Sequence, residues 1–137
     1  MPVVETDFLK GLIDPEDRLH ESCLKAMEHV KKREWMIVSS AFIEFDLLLK
    51  HLKISLKDRL DVFEGLMAEI PKESILQLTH ESMAQAIQLQ KKYSELRDFY
   101  FDSIHLGIVI LHDGTIVSSD HAFNQVKEVK RLALEKL

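Results

Sequence analysis

Cysteine is all but missing from this chain: of 137 residues only Cys23 carries a thiol. One thiol builds neither an intramolecular disulfide nor a cysteine-based zinc site, and a reducing, cytoplasmic setting fits. Its expected role is that of a small apolar filler on a helix. Glycine and proline are scarce, at 4 and 3 residues, and no Gly/Ser linker, repeat or low-complexity tract occurs. Short loops and a single domain over 1–137 are therefore expected. No apolar run approaches the roughly 18 residues needed to span a bilayer. The N-terminus has no charged leader ahead of a signal-type apolar core, so no membrane association is expected. A basic excess is lacking as well. The net charge of −5 argues against a surface built for long duplex DNA, although metal ions can supply positive charge at a reacting phosphate. The seven histidines form no HExxH motif. There is no GxGxxG, Walker A or GxSxG pattern, which leaves nucleotide-binding loops and a serine-hydrolase elbow unsupported.

What is present is an alternation of short apolar runs with helical patterns. Pro2–Thr6, Trp35–Ser39, Ser74–Leu78 and Thr115–Ser118 read as strands. Asp14-Pro15 reads as a helix start, with Leu19, Cys23, Ala26, Met27 and Val30 following at helical spacing. Helices are also expected from Ser40 as cap to about Leu52, from about Leu56 to Ile70 with Ser55 as cap, and from His80 to about Tyr93 with Thr79 as cap. Another runs from Phe101 to His112, ended by Asp113-Gly114, and a last amphipathic helix from about Ala122 to Leu137. In the second of these, Leu56, Leu60, Phe63, Met67 and Ile70 form a stripe expected to be core. Continuous apolar strands separated by helices indicate an α/β fold, a three-layer α/β/α sandwich on a central parallel sheet of four to five short strands. The strand so near the N-terminus is expected at its centre.

Carboxylates cluster where that fold places a site. Glu5 and Asp7 close the first strand, Asp120 follows the last, and Glu44 lies among Ala41, Leu47 and Leu48 on the helix leaving the second. Asp102 opens a helix that is apolar nearly all round and should be buried; Gly107 within it suggests close packing. Sites in parallel α/β sheets lie beyond the carboxyl ends of the strands. A carboxylate in or beside a core is unfavourable unless paired or bound to metal. Hard oxygen donors suit Mg²⁺ or Mn²⁺, and the implied chemistry is phosphodiester hydrolysis by a metal-activated water. Without metal, at least one of these carboxyls should titrate high.

Tyr100-Phe101-Asp102-Ser103-Ile104-His105 through Gly114, and Thr115–Asp120 followed by Phe123, resemble the third and fourth acidic motifs of PIN domains, the fold of VapC-type toxin ribonucleases. Val4-Glu5-Thr6-Asp7-Phe8-Leu9 resembles the opening motif and Ser40–Glu44 the second. The C-terminal pair, at its mutual spacing, is the specific part. In this register Glu5 stands where the family usually has Asp, and Asp7 takes the Asn/Ser/Asp position. The resemblance implies a metal-dependent endoribonuclease acting on single-stranded RNA. Asp7, Glu44, Asp102 and Asp120 would be the catalytic residues, with Glu5 joining them around Mg²⁺ or Mn²⁺. It further implies a toxin with an antitoxin partner, and a homodimer. Two rivals remain. One is a PIN-like RNA-binding or scaffold module with weak catalysis, motivated by Glu5. The other is an acidic-pocket phosphatase, for which no Lys stands at a strand end. His105 is expected as a packed core histidine, and His112 and His121 as surface residues. Ser119 has a hydroxyl free for a phosphate, a metal-bound water or the backbone. The basic pieces Lys31–Arg33, Lys91-Lys92, Lys127, Lys130, Arg131 and Lys136 read as solvated helix faces.

Overall fold

The computed structural model describes residues 1–137. Two valines, Val3–Val4, form β1, and every strand that follows is parallel to it: β2 is Met36–Val38, β3 Ile75–Leu76, β4 Thr115–Ser118 and β5 Lys130–Ala133. The sheet order is β3-β2-β1-β4-β5, so β1 is central as expected. Consecutive residues of the inner strands, Val3-Val4, Ile37-Val38 and Ile116-Val117, are all fully buried. Successive side chains point to opposite faces, so both faces are covered and the molecule has three layers.

Six helices supply the covering layers: α1 Thr6–Ile13, α2 His20–Lys31, α3 Ser39–His51, α4 Leu56–Glu69, α5 His80–Lys92 and α6 Tyr100–His112. Ser55 caps α4 and Thr79 caps α5, as expected. α6 crosses the core, with Ser103 through Val109 all buried. A β-carbon on Gly107 would lie 2.3 Å from the Ser82 carbonyl oxygen and 3.1 Å from the Ala86 nitrogen, so glycine is what lets α6 approach α5.

Four expectations are corrected. Asp14-Pro15 starts no helix. The chain turns helical at Thr6, because Glu5 accepts the Thr6 N–H at 2.7 Å as N-cap and Phe8, Leu9 and Leu12 offer a helical apolar face. Asp14 ends that helix and its carboxylate organises the following turn by accepting Glu16 N–H. Ser40 caps nothing: α3 begins at Ser39 and the Ser40 hydroxyl is used elsewhere. The stripe on α4 is core only in part, at Ile70 and, packed against it, Phe63. Leu56, Leu60 and Met67 are 61%, 54% and 49% exposed, while Leu66 and Ile70 are buried; the helix docks on the adjacent face. The C-terminal helix does not exist. β4 needs a hydrogen-bonding neighbour on its free edge, and Lys130–Ala133 supplies four register pairs to it. Short 3-10 turns on either side seat Phe123, Val126 and Leu134 in the core.

Candidate metal centre

The sheet reverses its order between β1 and β4. β1 leads to β2 on one side, and the chain returns to lay β4 on the other. Such a switch point opens a crevice at the carboxyl ends of the two strands. Glu5 and Asp7 emerge there from β1, and Ser118, Ser119 and Asp120 from β4.

The two chain ends are stitched together by hydroxyls. Ser118 Oγ–H lies 2.9 Å from Glu5 Oε1 and 3.2 Å from Asp7 Oδ2. Asp7 Oδ2 also accepts the Ser119 N–H at 2.7 Å and the Ser119 hydroxyl at 2.8 Å. Ser119 thus spends its donors on Asp7. Asp7 Oδ1, in contrast, is buried with no hydrogen-bond partner. The one other such atom, Glu135 Oε2, belongs to a carboxylate whose second oxygen accepts from Arg131. A buried carboxylate oxygen without a partner, in the neighbourhood of other acidic side chains, fits the role of a cation ligand.

Glu44 enters from α3, half-buried, and is held by one oxygen. His105 on α6 is fully buried; its Nε2 lies 3.0 Å from Glu44 Oε1 and 3.1 Å from Thr6 Oγ1, and its Nδ1 lies 2.7 Å from Ser40 Oγ. Thr6 donates its hydroxyl proton to the same Glu44 oxygen. A carboxylate has no proton to give, so the Nε2–H donates to Glu44 and, in the neutral ring, Nδ1 accepts from Ser40. Sequence reading foresaw a packed histidine here but missed that it orients a site carboxylate. The spacing of His105 one helical turn after Asp102 was the available signal.

Electrostatics ties the remaining carboxylates in. Burial, followed by the neighbouring charges of Glu44, Asp120 and Asp7, pushes the Asp102 carboxyl from its ordinary 3.8 to about 7. Burial and then the Asp7 charge raise the Glu5 carboxyl well above its ordinary 4.5, against the pull of the Ser118 hydroxyl. Burial acts to raise Glu44 also, but the hydrogen bonds from His105 and Thr6 prevail and hold it below the usual range. The expectation of a raised carboxyl is met at two residues. One ligand atom each from Glu5, Glu44 and His105 lie within 4.8 Å of one another, a grouping that does not include Asp7, Asp102 or Asp120; with its ring nitrogens spent on Glu44 and Ser40, His105 orients this grouping rather than ligating. Asp120 stands at the exposed rim, where its carboxylate caps the following turn by accepting Ala122 N–H. The oxygen-rich donor set and the orphaned Asp7 oxygen both fit a hard divalent cation.

His112 and His121 are exposed, as expected. Cys23 is buried, and burial with the nearby Asp7, Asp17 and Glu5 charges pushes its thiol up to about 12, consistent with an inert filler. No helix is long and apolar enough to cross a membrane.

No protein-family model and no curated protein sequence matches the chain. Solved structures do. A chain in the structure of FitAB bound to an IR36 DNA fragment superposes with a TM-score of 0.74 at 13% identity, over 100% of this chain and 97% of that one. A chain in the structure of VapBC2 from Rickettsia felis, bound to a DNA fragment from their promoter, gives 0.68 at 13% identity, over 95% and 96%. At this identity the likeness is one of fold, and it spans the whole molecule: the chain has the PIN-like α/β/α fold that its sequence motifs resemble.

Proposed function

We propose that this protein is a metal-dependent endoribonuclease that cleaves single-stranded RNA, the toxin of a toxin–antitoxin pair. The observation that carries the reading is the convergence of Glu5, Asp7, Glu44 and Asp102 at the β1/β4 switch point, with a buried Asp7 oxygen left without a partner. Asp7, Glu44 and Asp102 would hold Mg²⁺ or Mn²⁺, Glu5 would support them from behind, and Asp120 would close the rim. A bound cation of this kind polarises a phosphoryl oxygen and makes a water nucleophilic near neutral pH. The chain's own contribution is placement. His105 and Thr6 fix one Glu44 oxygen and leave the other free; Ser118 and Ser119 fix one Asp7 oxygen and leave the other free. Burial of the cluster restricts competing water.

The structurally similar FitAB and VapBC2 are complexes, which supports a protein partner for this chain. An exposed apolar groove between α3 and α4, lined by Phe42, Ile43, Leu56, Leu60 and Phe63, supports a homodimer. The exposed part of the α4 stripe, Leu56, Leu60 and Met67, extends this apolar surface.

A second reading, an RNA-binding module of weak activity, is favoured by one feature: both Glu5 oxygens are already engaged, by Thr6 N–H and by Ser118. Incubation with labelled single-stranded RNA and Mn²⁺, alongside Asp102→Asn, separates the two. Cleavage by the wild type alone supports the nuclease. Binding without cleavage supports the module, and cleavage by both proteins refutes the assignment of this site.

A further inference from the structure

Beside the carboxylates the crevice continues into a polar cleft of about 400 Å³, lined by Asp7, Lys10, Asp17, Arg18, Leu19 and Ser119. That volume lies in the range of ligand clefts, roughly 300–1,000 Å³. Two of its walls are cationic, and the cations are free. Lys10 and Arg18 make no ion pair, although Asp7 and Asp17 line the same cleft. Unpaired basic residues occur elsewhere on the molecule as well, but Lys10 and Arg18 are the two that line this cleft beside Asp7.

The two cations stand on ordered backbone. Lys10 follows Asp7 by three residues on α1, which places it on the same helix face. Arg18 lies in the turn into α2. That turn is tied by Asp17 Oδ1 accepting Leu19 N–H at 2.8 Å, and the start of α2 is tied to α1 by His20 Nδ1, 2.8 Å from the Gly11 carbonyl. One oxygen of Asp17 is thereby committed to the backbone, and one oxygen of Asp7 to Ser118 and Ser119. The chain is acidic overall, with a net charge of −5, and its carboxylate cluster repels a polyanion. A strand brought to that cluster needs positive charge next to it, and Lys10 and Arg18 are the unengaged cations adjoining Asp7.

We propose that this cleft is a phosphodiester-binding subsite. Lys10 and Arg18 grip the backbone of a single-stranded nucleic acid one step away from the carboxylates. The inference rests on the nuclease reading for its substrate, but not on metal binding. The contact is sequence-independent, since it is made to phosphate.

The test is fluorescence polarisation of a fluorescein-labelled single-stranded RNA on the full chain, in EDTA and again in Ca²⁺, across a salt series. Lys10→Gln and Arg18→Gln are each expected to weaken binding roughly 3- to 10-fold and to flatten the log–log salt slope by about 0.7. The exposed Lys57→Gln on α4 should match the wild type. Melting curves with and without Mn²⁺ run in parallel. A Mn²⁺ response kept in the two variants, with RNA binding lost, supports the subsite and shows that the carboxylate cluster is intact. Loss of RNA binding in the variants, together with no Mn²⁺ response in any protein, supports the subsite while refuting the metal centre. A double variant that binds with wild-type affinity and slope overturns the proposal. So does a wild type that binds no RNA in either buffer, or one that binds poly-glutamate in its place through the same two residues.

Discussion

Asp102→Asn tests the electrostatic account of the site most directly. In the metal-free protein the Asp102 carboxyl is raised from 3.8 to about 7 by burial and by Glu44, Asp120 and Asp7. Ionising it in the folded state is therefore unfavourable by roughly 4 kcal/mol at the limit. The sign follows from linkage. A group whose folded pKa lies above its unfolded one binds more protons folded, so its stabilising contribution is complete below about pH 4 and is lost as pH rises through about 7. Glu5, also raised, acts in the same direction. Metal-free wild type should thus melt lower at pH 8 than at pH 5. Asn cannot ionise, so the variant should escape the Asp102 share of that loss. Allowing for local relaxation, it should exceed wild type by about 2–4 kcal/mol at pH 8 and by only about 1 kcal/mol at pH 5. At roughly 3 °C per kcal/mol for a chain of this size, the difference is about 6–12 °C. Metal should narrow that gap. At a hundred times its dissociation constant, Mn²⁺ adds about 2.7 kcal/mol to the wild type and less to a variant lacking one ligand. Melting by circular dichroism in EDTA and in Mn²⁺, at both pH values, reads all four conditions. A wild type whose EDTA melting point does not fall between pH 5 and pH 8, or a variant that melts below it in EDTA at pH 8, would refute the reasoning.

His105→Ala should lower stability by about 2–4 kcal/mol, through a cavity and an unpartnered Ser40, and should also reduce the Mn²⁺-induced rise in melting temperature because Glu44 loses its orienting donor. Gly107→Ala should destabilise by about 1–3 kcal/mol in denaturant titration, since the new methyl meets Ser82 and Ala86 backbone rather than movable side chains. Cys23, with its thiol at about 12, should react with a disulfide reagent only at the rate of unfolding; fast labelling of native protein would contradict its burial. Leu60→Glu, at a 54% exposed position in the α3–α4 groove, should leave the monomer folded and shift a dimer to monomer in light scattering.

The carboxylates proposed for the site stand out in the sequence because each follows a local rule. Strand ends, a helix start and an apolar helix face are marked by neighbours within four residues, and a parallel sheet converts those places into one crevice. Partnership was not legible. Nothing adjacent to Asp7 announces that Ser119, 112 residues away, saturates one of its oxygens. Lys10 and Arg18 carry no signal in the sequence, because each is a single charge in an ordinary stretch, while the basic runs include residues paired with acids.

Composition and periodicity by themselves determined the class of molecule: an α/β fold, a parallel sheet with its first strand at the centre, helices of the right number through the middle of the chain, and acidic residues at strand ends. These follow from short-range patterns, since apolar spacing reports which face of an element is buried. Tertiary structure alone decided what buries it. The last segment, whose Val126, Val129 and Leu134 suit a helix, became an edge strand because β4 had unpaired backbone groups to satisfy. α4 turned Leu66 rather than Leu60 inward because of where α1 and α2 stand. Glu5, which caps the next helix locally with one oxygen, was placed beside Asp7 and Ser118 by the meeting of β1 and β4, with Ser118 coming from the far end of the chain. Each is a choice between locally equivalent arrangements, settled by hydrogen bonds and contacts that exist only once distant segments have come together.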